Sequence, residues 1–243
     1  MQKISHFLIK NKEIIAFTIF EIIALFLNLV LTGKAEVISS KCIIYINLIF
    51  ALIFTLRFDK KSYVIFALIF TAISDTLLVS TKPISDASRI IALVSFIIVQ
   101  AIYLLELFKH NKKITIYIGL IDTLIIILLS IASIFIFKDN YNALIPLTII
   151  YFIILVSNLI NTSINFRSES TMFFGFLFFI LCDVLVGLST GVSIGILSSE
   201  NEFIKFAIKL AKYEWTPYII AQYFLVSSII SKNIKFIFKK REV

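Results

Sequence analysis

Residues 66–80 read FALIFTAISDTLLVS, an apolar run with one carboxylate, Asp75, near its middle. The apolar residues run together instead of alternating, which favours a helix over a half-buried strand. A carboxylate at the centre of a membrane helix costs roughly 3 kcal/mol on insertion scales. Such a residue is either a clasp between helices or part of a reaction centre. A second stretch, FGFLFFILCDVLVGLS at residues 174–189, repeats the pattern without gaps. Phe66 falls on Phe174, Ala67 on Gly175, Phe70 on Phe178, Ser74 on Cys182 and Leu77 on Leu185, and Asp75 falls on Asp183.

The rest of the chain has the same character. Of 243 residues, 60% are hydrophobic and only 16% charged, and the mean hydropathy is +1.02. A soluble domain of this size does not need so much apolar surface. Apolar runs long enough to cross a ~30 Å hydrocarbon core recur throughout, and none alternates as the strands of a membrane barrel would. The expected fold is all-α: a polytopic membrane protein of eight transmembrane helices. The spans are read at residues 14–32, 39–56, 62–80, 88–108, 114–137, 143–162, 171–189 and 214–231. The first is too long for a cleaved leader and lacks a small-x-small cleavage site.

Lysine and arginine set the expected orientation. Fifteen of the 23 fall on one side of the eight spans, among them Lys3, Lys10, Lys12, Arg57, Lys60, Lys61, Lys109, Lys112, Lys113, Arg167 and the cluster Lys232–Arg241. Eight fall on the other: Lys34, Lys41, Lys82, Arg89, Lys138, Lys205, Lys209 and Lys212. The positive-inside rule places both termini in the cytoplasm. A basic tail beside anionic lipid accounts for the net charge of +8, and no nucleic-acid partner is expected.

The repeat extends past the two aspartates. IIVQ ends at Gln100 one span after Asp75, and IIAQ ends at Gln222 one span after Asp183. Spans 1 and 5 each carry an acid about two turns in, Glu21 and Asp122. The chain therefore divides into two four-helix halves, about 1–112 and 113–243, within a single transmembrane domain. Four crossings return the chain to its starting side, so the repeat is parallel. At 1.5 Å per residue both aspartates lie ~20 Å along their spans, at one depth slightly beyond the midplane. Two carboxyls placed close together in a low dielectric suit one acid and one base sharing a proton.

Other chemistries find no residues. Cys42 and Cys182 fall inside spans and form no disulfide framework, and Cys182 reads as a packing residue. His6 and His110 lie outside the spans, so neither a histidine metal site nor a Ser-His-Asp triad assembles. No glycine-rich phosphate loop is present. Neither metal nor cofactor is expected.

The motifs FTAISDTLL, FGFLFFILCDVLVG and YIIAQYFL resemble the YhhN family of eight-span membrane proteins, which includes the lysoplasmalogenases. The resemblance covers nearly the whole chain in order. It rests on Ser74-Asp75, on Gly175 with Asp183, on Tyr218 with Gln222, on Lys41 and on Tyr151. The chain departs from the family pattern at Cys42, where the family usually has Pro, and at Cys182, where it usually has Ser. Gln100 stands where the family often has His, which leaves no imidazole there and the aspartates intact.

The resemblance implies hydrolysis of the vinyl-ether bond of a lysoplasmalogen, a lysophospholipid drawn from the bilayer, to a fatty aldehyde and a glycerophospho-base. It also implies Asp75 and Asp183 as the acid and base, with Lys41, Tyr151, Tyr218, Gln222 and Gln100 around the substrate. The expected location is a bacterial plasma membrane. Beside that reading stand a transporter and a non-catalytic lipid-binding protein of the same fold.

Several smaller features have two readings each. Lys41 fits either a substrate phosphate or a lysine snorkelling from a helix end. Tyr218 and Gln222, one turn apart, would hold a water near the aspartates or bond across helices, and Tyr151 reads as a packing residue ahead of a chemical one. Glu21 and Asp122 fit the lining of a polar cavity, but Asp122 is near enough to its span's cytoplasmic end to be expected in solvent, as is Glu106 beside Lys109. NEFIKFAIKLAKYEW, residues 201–215, sets Phe203, Phe206, Ala207 and Leu210 against Lys205, Lys209 and Lys212. That pattern is an interfacial helix.

Overall fold

A computed structural model describes residues 12–31, 34–80, 85–109, 111–138, 141–193, 202–211 and 213–239. The sequence readings for Lys3, His6, Lys10, Lys82, His110, Lys212, Lys240 and Arg241 lie outside those residues. The described residues form nine helices and no strand: α1 Lys12–Val30, α2 Lys34–Phe58, α3 Val64–Ser80, α4 Asp86–Phe108, α5 Lys112–Ile136, α6 Leu144–Ile164, α7 Phe166–Ser193, α8 Glu202–Ala211 and α9 Trp215–Lys239. Each expected span overlaps one of them, though α2 and α7 begin five residues early and α9 runs eight residues past the expected end at Ser231, and α8 covers most of the expected interfacial segment.

Local chemistry explains several boundaries. Ser85 caps α4, its hydroxyl accepting from the Ser88 N–H at 3.1 Å, and Asn111 caps α5 by accepting from the Ile114 N–H at 3.3 Å. These side chains satisfy donors that a helix's first turn leaves free. Pro146 and Pro217 sit in the first turns of α6 and α9, where a missing N–H removes no helical bond. α7 runs longer than its expected span and bends at Glu169, whose φ of −115° and ψ of 21° are not helical.

Among the described residues, six helices are long and apolar enough to cross a membrane: α1, α2 over Ile38–Phe58, α4, α5, α6, and α7 over Phe166–Val192. α3 is equally apolar over Val64–Leu78 but shorter. α5 leaves Tyr117, Leu120, Leu124, Phe135 and Ile136 largely exposed. A water-soluble protein does not present such a continuous apolar face, and a lipid-facing helix must. The chain is an integral, multi-pass, all-helical membrane protein.

The helices pack in matched pairs. α3 lies against α4 as α7 lies against α9, and these are the most extensive contacts. α2 flanks α3 as α6 flanks α7. α9 closes onto α1 and α2, and α4 onto α5 and α6. Lipid tails are as apolar as leucine, so these contacts are held by close packing and by hydrogen bonds between helices. Gly175 allows the closest approach: a Cβ there would stand 2.7 Å from Leu225 Cδ2 of α9. Ala67 on α3 is fully buried. Ser74 donates across to the Ala92 carbonyl of α4 at 3.1 Å.

Two expectations about charged groups are corrected. Asp122 is buried, because α6 lies over it and Ser157 donates to its carboxylate at 2.5 Å. Glu106 is 1% exposed. It accepts from the Tyr63 N–H at 2.7 Å, at the start of α3, and from Lys109 at 2.8 Å. The depth of the bundle at these levels, which sequence position alone does not convey, keeps both from solvent.

Candidate functional site

Asp75 lies on the inner face of α3, 5% exposed. Ser74, beside it, ties α3 to α4, and Asp75 turns instead to α9, where the Tyr218 hydroxyl donates to its carboxylate. Asp183 on α7 is partly buried and accepts in the same way from the hydroxyl of Tyr151 on α6. Each carboxylate is thus oriented by a phenol from another helix.

A row of aromatic rings joins the two pairs. Tyr151 meets Phe96 at 5.8 Å, Phe96 meets Phe179 edge-on at 6.2 Å, and Phe179 meets Tyr218 at 6.1 Å. Trp215 packs edge-on to Tyr218 at 5.1 Å. Tyr218 is 6% exposed and Phe179 1%. Two acidic groups therefore sit beside an apolar aromatic wall with little water around it. In such surroundings a carboxyl can pass a proton to carbon without competing bulk solvent, and a nearby carboxylate can stabilise a developing cation.

The remaining expected residues are distributed around this centre. Gln222 is buried on α9, one turn from Tyr218. Gln100 on α4 is fully buried and engaged with α6, its side-chain oxygen accepting from Asn158 Nδ2 at 3.0 Å. Lys41 is partly exposed near the start of α2. One turn along from it the Tyr45 hydroxyl meets Thr76 Oγ1 at 3.0 Å, next to Asp75 in the chain. Among the described residues, no hydrogen bond or ion pair connects Lys41 or Gln100 to either aspartate.

Sequence reasoning passed over Asn47, Ser157, Asn158, Phe96, Phe179 and the Tyr45–Thr76 contact. The signal for the first three was present, since amides and hydroxyls inside apolar spans need partners. Phe96 and Phe179 carry no such mark among 25 phenylalanines, and only packing singles them out.

A model of the YhhN family matches the chain over residues 37–229, which takes in all seven expected site residues. No curated protein and no solved structure matches it.

Proposed function

The chain belongs to the YhhN family, and from that premise we propose that it is a membrane-embedded hydrolase of the vinyl-ether bond of a lysoplasmalogen. The observation that carries this reading is the pair of carboxylates on α3 and α7, each held by a tyrosine, with one row of aromatic rings joining the two tyrosines.

Vinyl ethers resist bases and nucleophiles. Protonation of the carbon β to oxygen turns the bond into an oxocarbenium ion. One aspartic acid gives that proton, and the other, as carboxylate, faces the cation and takes a proton from the attacking water. The hemiacetal that forms then collapses. One water is consumed, the ether oxygen leaves as the alcohol of the glycerophospho-base, and the chain leaves as an aldehyde. The two carboxyls share the work of an inverting glycosidase pair. No resident metal or nucleotide is called for.

Tyr151 and Tyr218 keep the carboxylates aimed at the reacting atoms, and Gln222 lies beside that centre. Phe96 and Phe179 offer an apolar wall to an alkenyl chain. Lys41, one turn from the Tyr45–Thr76 contact, is placed to meet the substrate phosphate.

The same reading has the chain crossing a bacterial plasma membrane eight times, with cytoplasmic termini and two parallel halves. The pairing of α3 with α4 and of α7 with α9 supports the two halves. The test is direct. Purified protein is incubated with a lysoplasmalogen and with a matched ester lysolipid, and aldehyde is measured. Aldehyde from the vinyl ether alone is expected, and its absence would overturn the proposal.

A further inference from the structure

A second group of buried polar side chains lies between α1, α2 and α9, which pack on one another pairwise. Glu21 on α1 and Asn47 on α2 are each 3% exposed, and Gln222 on α9 is 2% exposed. Asn47 faces Glu21. Ring contacts give the register: Phe17 and Phe20 of α1 meet Phe50 of α2 at 5.0 and 6.3 Å. Glu21, next along α1, thus comes to the level of Asn47, one turn from Phe50. From the other side Tyr223 stacks on Phe17 at 5.6 Å and approaches Thr18 at 3.5 Å, so the turn of α9 that carries Gln222 packs against α1 next to Glu21.

A comparable trio of acid, asparagine and glutamine lies between α5, α6 and α4. There part of the polar capacity is met within the protein, although Asp122 Oδ2, Asn158 Oδ1 and Gln100 Nε2 also lack a partner. Ser157 donates to Asp122 at 2.5 Å, and Asn158 donates to the Gln100 side chain and carbonyl, both at 3.0 Å. In the first trio Asn47 lies beside the Glu21 carboxylate, outside ordinary hydrogen-bond geometry. Both Glu21 carboxylate oxygens, both polar atoms of Asn47 and Nε2 of Gln222 have no protein partner of ordinary geometry.

Each buried polar group left unpaired costs about 1–3 kcal/mol. The chemistry of the five atoms identifies what would satisfy them. Amide N–H₂ groups stand beside carboxylate and amide oxygens. A metal ion binds acceptors only and would meet those N–H₂ groups with repulsion. Water both donates and accepts, and serves all five.

The surroundings also give the site a direction. Towards the start of α1 it is closed by Phe17 and Phe54, 1% and 0% exposed. In the other direction Gln222 is one turn from Tyr218, which donates to Asp75.

We propose that Glu21, Asn47 and Gln222 form a buried site for ordered water, continuous along α9 with the Tyr218–Asp75 pair. Its use as a store of the water consumed in turnover rests on the hydrolytic reading, whereas the site itself does not.

Radiolytic labelling of the full chain in lipid nanodiscs, in ¹⁸O-water, tests it, because bound water yields hydroxyl radicals that mark buried side chains within reach. ¹⁸O incorporation is expected on Phe17, Phe50 and Tyr223. It should persist in Glu21→Gln and vanish in Glu21→Leu/Asn47→Leu, with thermal unfolding confirming that the variants are folded. Should the double variant not fold, Asn47→Leu alone is read in the same way. No label in the unmodified protein, or a label unchanged by leucine, would overturn the site. Vinyl-ether turnover is read separately. Turnover unchanged where the label is lost overturns the supply role alone. Label without any turnover in the unmodified protein leaves the water site standing and overturns the hydrolytic reading.

Discussion

The phenol of Tyr218 on α9 donates a hydrogen bond to Asp75 on α3, joining residues 143 positions apart in the chain. A hydrogen bond to a charged group contributes about 1.5–3 kcal/mol. If it aims the carboxyl at substrate, its loss falls on the transition state. Tyr218→Phe keeps the ring, with its contacts to Phe179 and Trp215, and removes only the hydroxyl. Turnover is expected to fall about tenfold to a hundredfold, with little change in thermal unfolding. Tyr151→Phe should behave alike at Asp183. Normal turnover in both would make the tyrosines packing residues.

Gly175 gives a sharper test of packing. A methyl group there collides with Leu225 between α7 and α9, and overpacking typically costs about 1–3 kcal/mol. Gly175→Ala should lower the unfolding temperature in detergent. Gly119 and Gly187 have nothing within 4 Å of an added Cβ, so Gly119→Ala and Gly187→Ala should leave it unchanged or raise it slightly. Equal behaviour of the three would contradict the close approach of α7 and α9.

Lys41 is expected to act on binding and not on the chemical step. A phosphate contact made equally in ground and transition states changes KM and leaves kcat alone. Because the side chain is partly exposed, solvent screens it, and Lys41→Ala should raise KM by about tenfold or less. Lys41→Arg should keep most of the affinity. A fall in kcat with unchanged KM would place Lys41 elsewhere in the mechanism.

Much of this arrangement was legible in the sequence, for identifiable reasons. Helices in lipid must satisfy their backbone internally, so the apolar runs marked where α1 to α7 and α9 lie, although polar turns extend α2, α7 and α9 beyond them. Asp75 and Asp183 stood out because carboxylates are costly among phenylalanines and leucines. The partners were harder. Tyr151 and Tyr218 were named from the family resemblance, and that each would bond to an aspartate follows from α6 lying on α7 and α9 reaching α3. Asp122 and Glu106 were misjudged because sequence position near a span's end says nothing of a neighbouring helix lying across it. Asn47 gave a signal, a lone amide in an apolar span, whose meaning appears only once Glu21 is beside it.

The two aspartates taken separately decide the mechanism. Asparagine keeps the shape of the side chain and still accepts from a phenol, so a carboxylate that only clasps helices should tolerate it. A carboxyl that moves a proton cannot be so replaced, and general acid–base help is worth about 10² to 10⁴ in rate. Asp75→Asn and Asp183→Asn should each lose that much turnover while remaining folded. Groups acting as a unit are not additive, so the double variant should be hardly worse than either single one. Acid alone hydrolyses vinyl ethers, so background is subtracted at each pH. The corrected profile of the unmodified protein should be bell-shaped, with limbs that belong to the pair and not to either residue. Near-normal turnover in either asparagine variant would reduce Asp75 and Asp183 to clasps between helices.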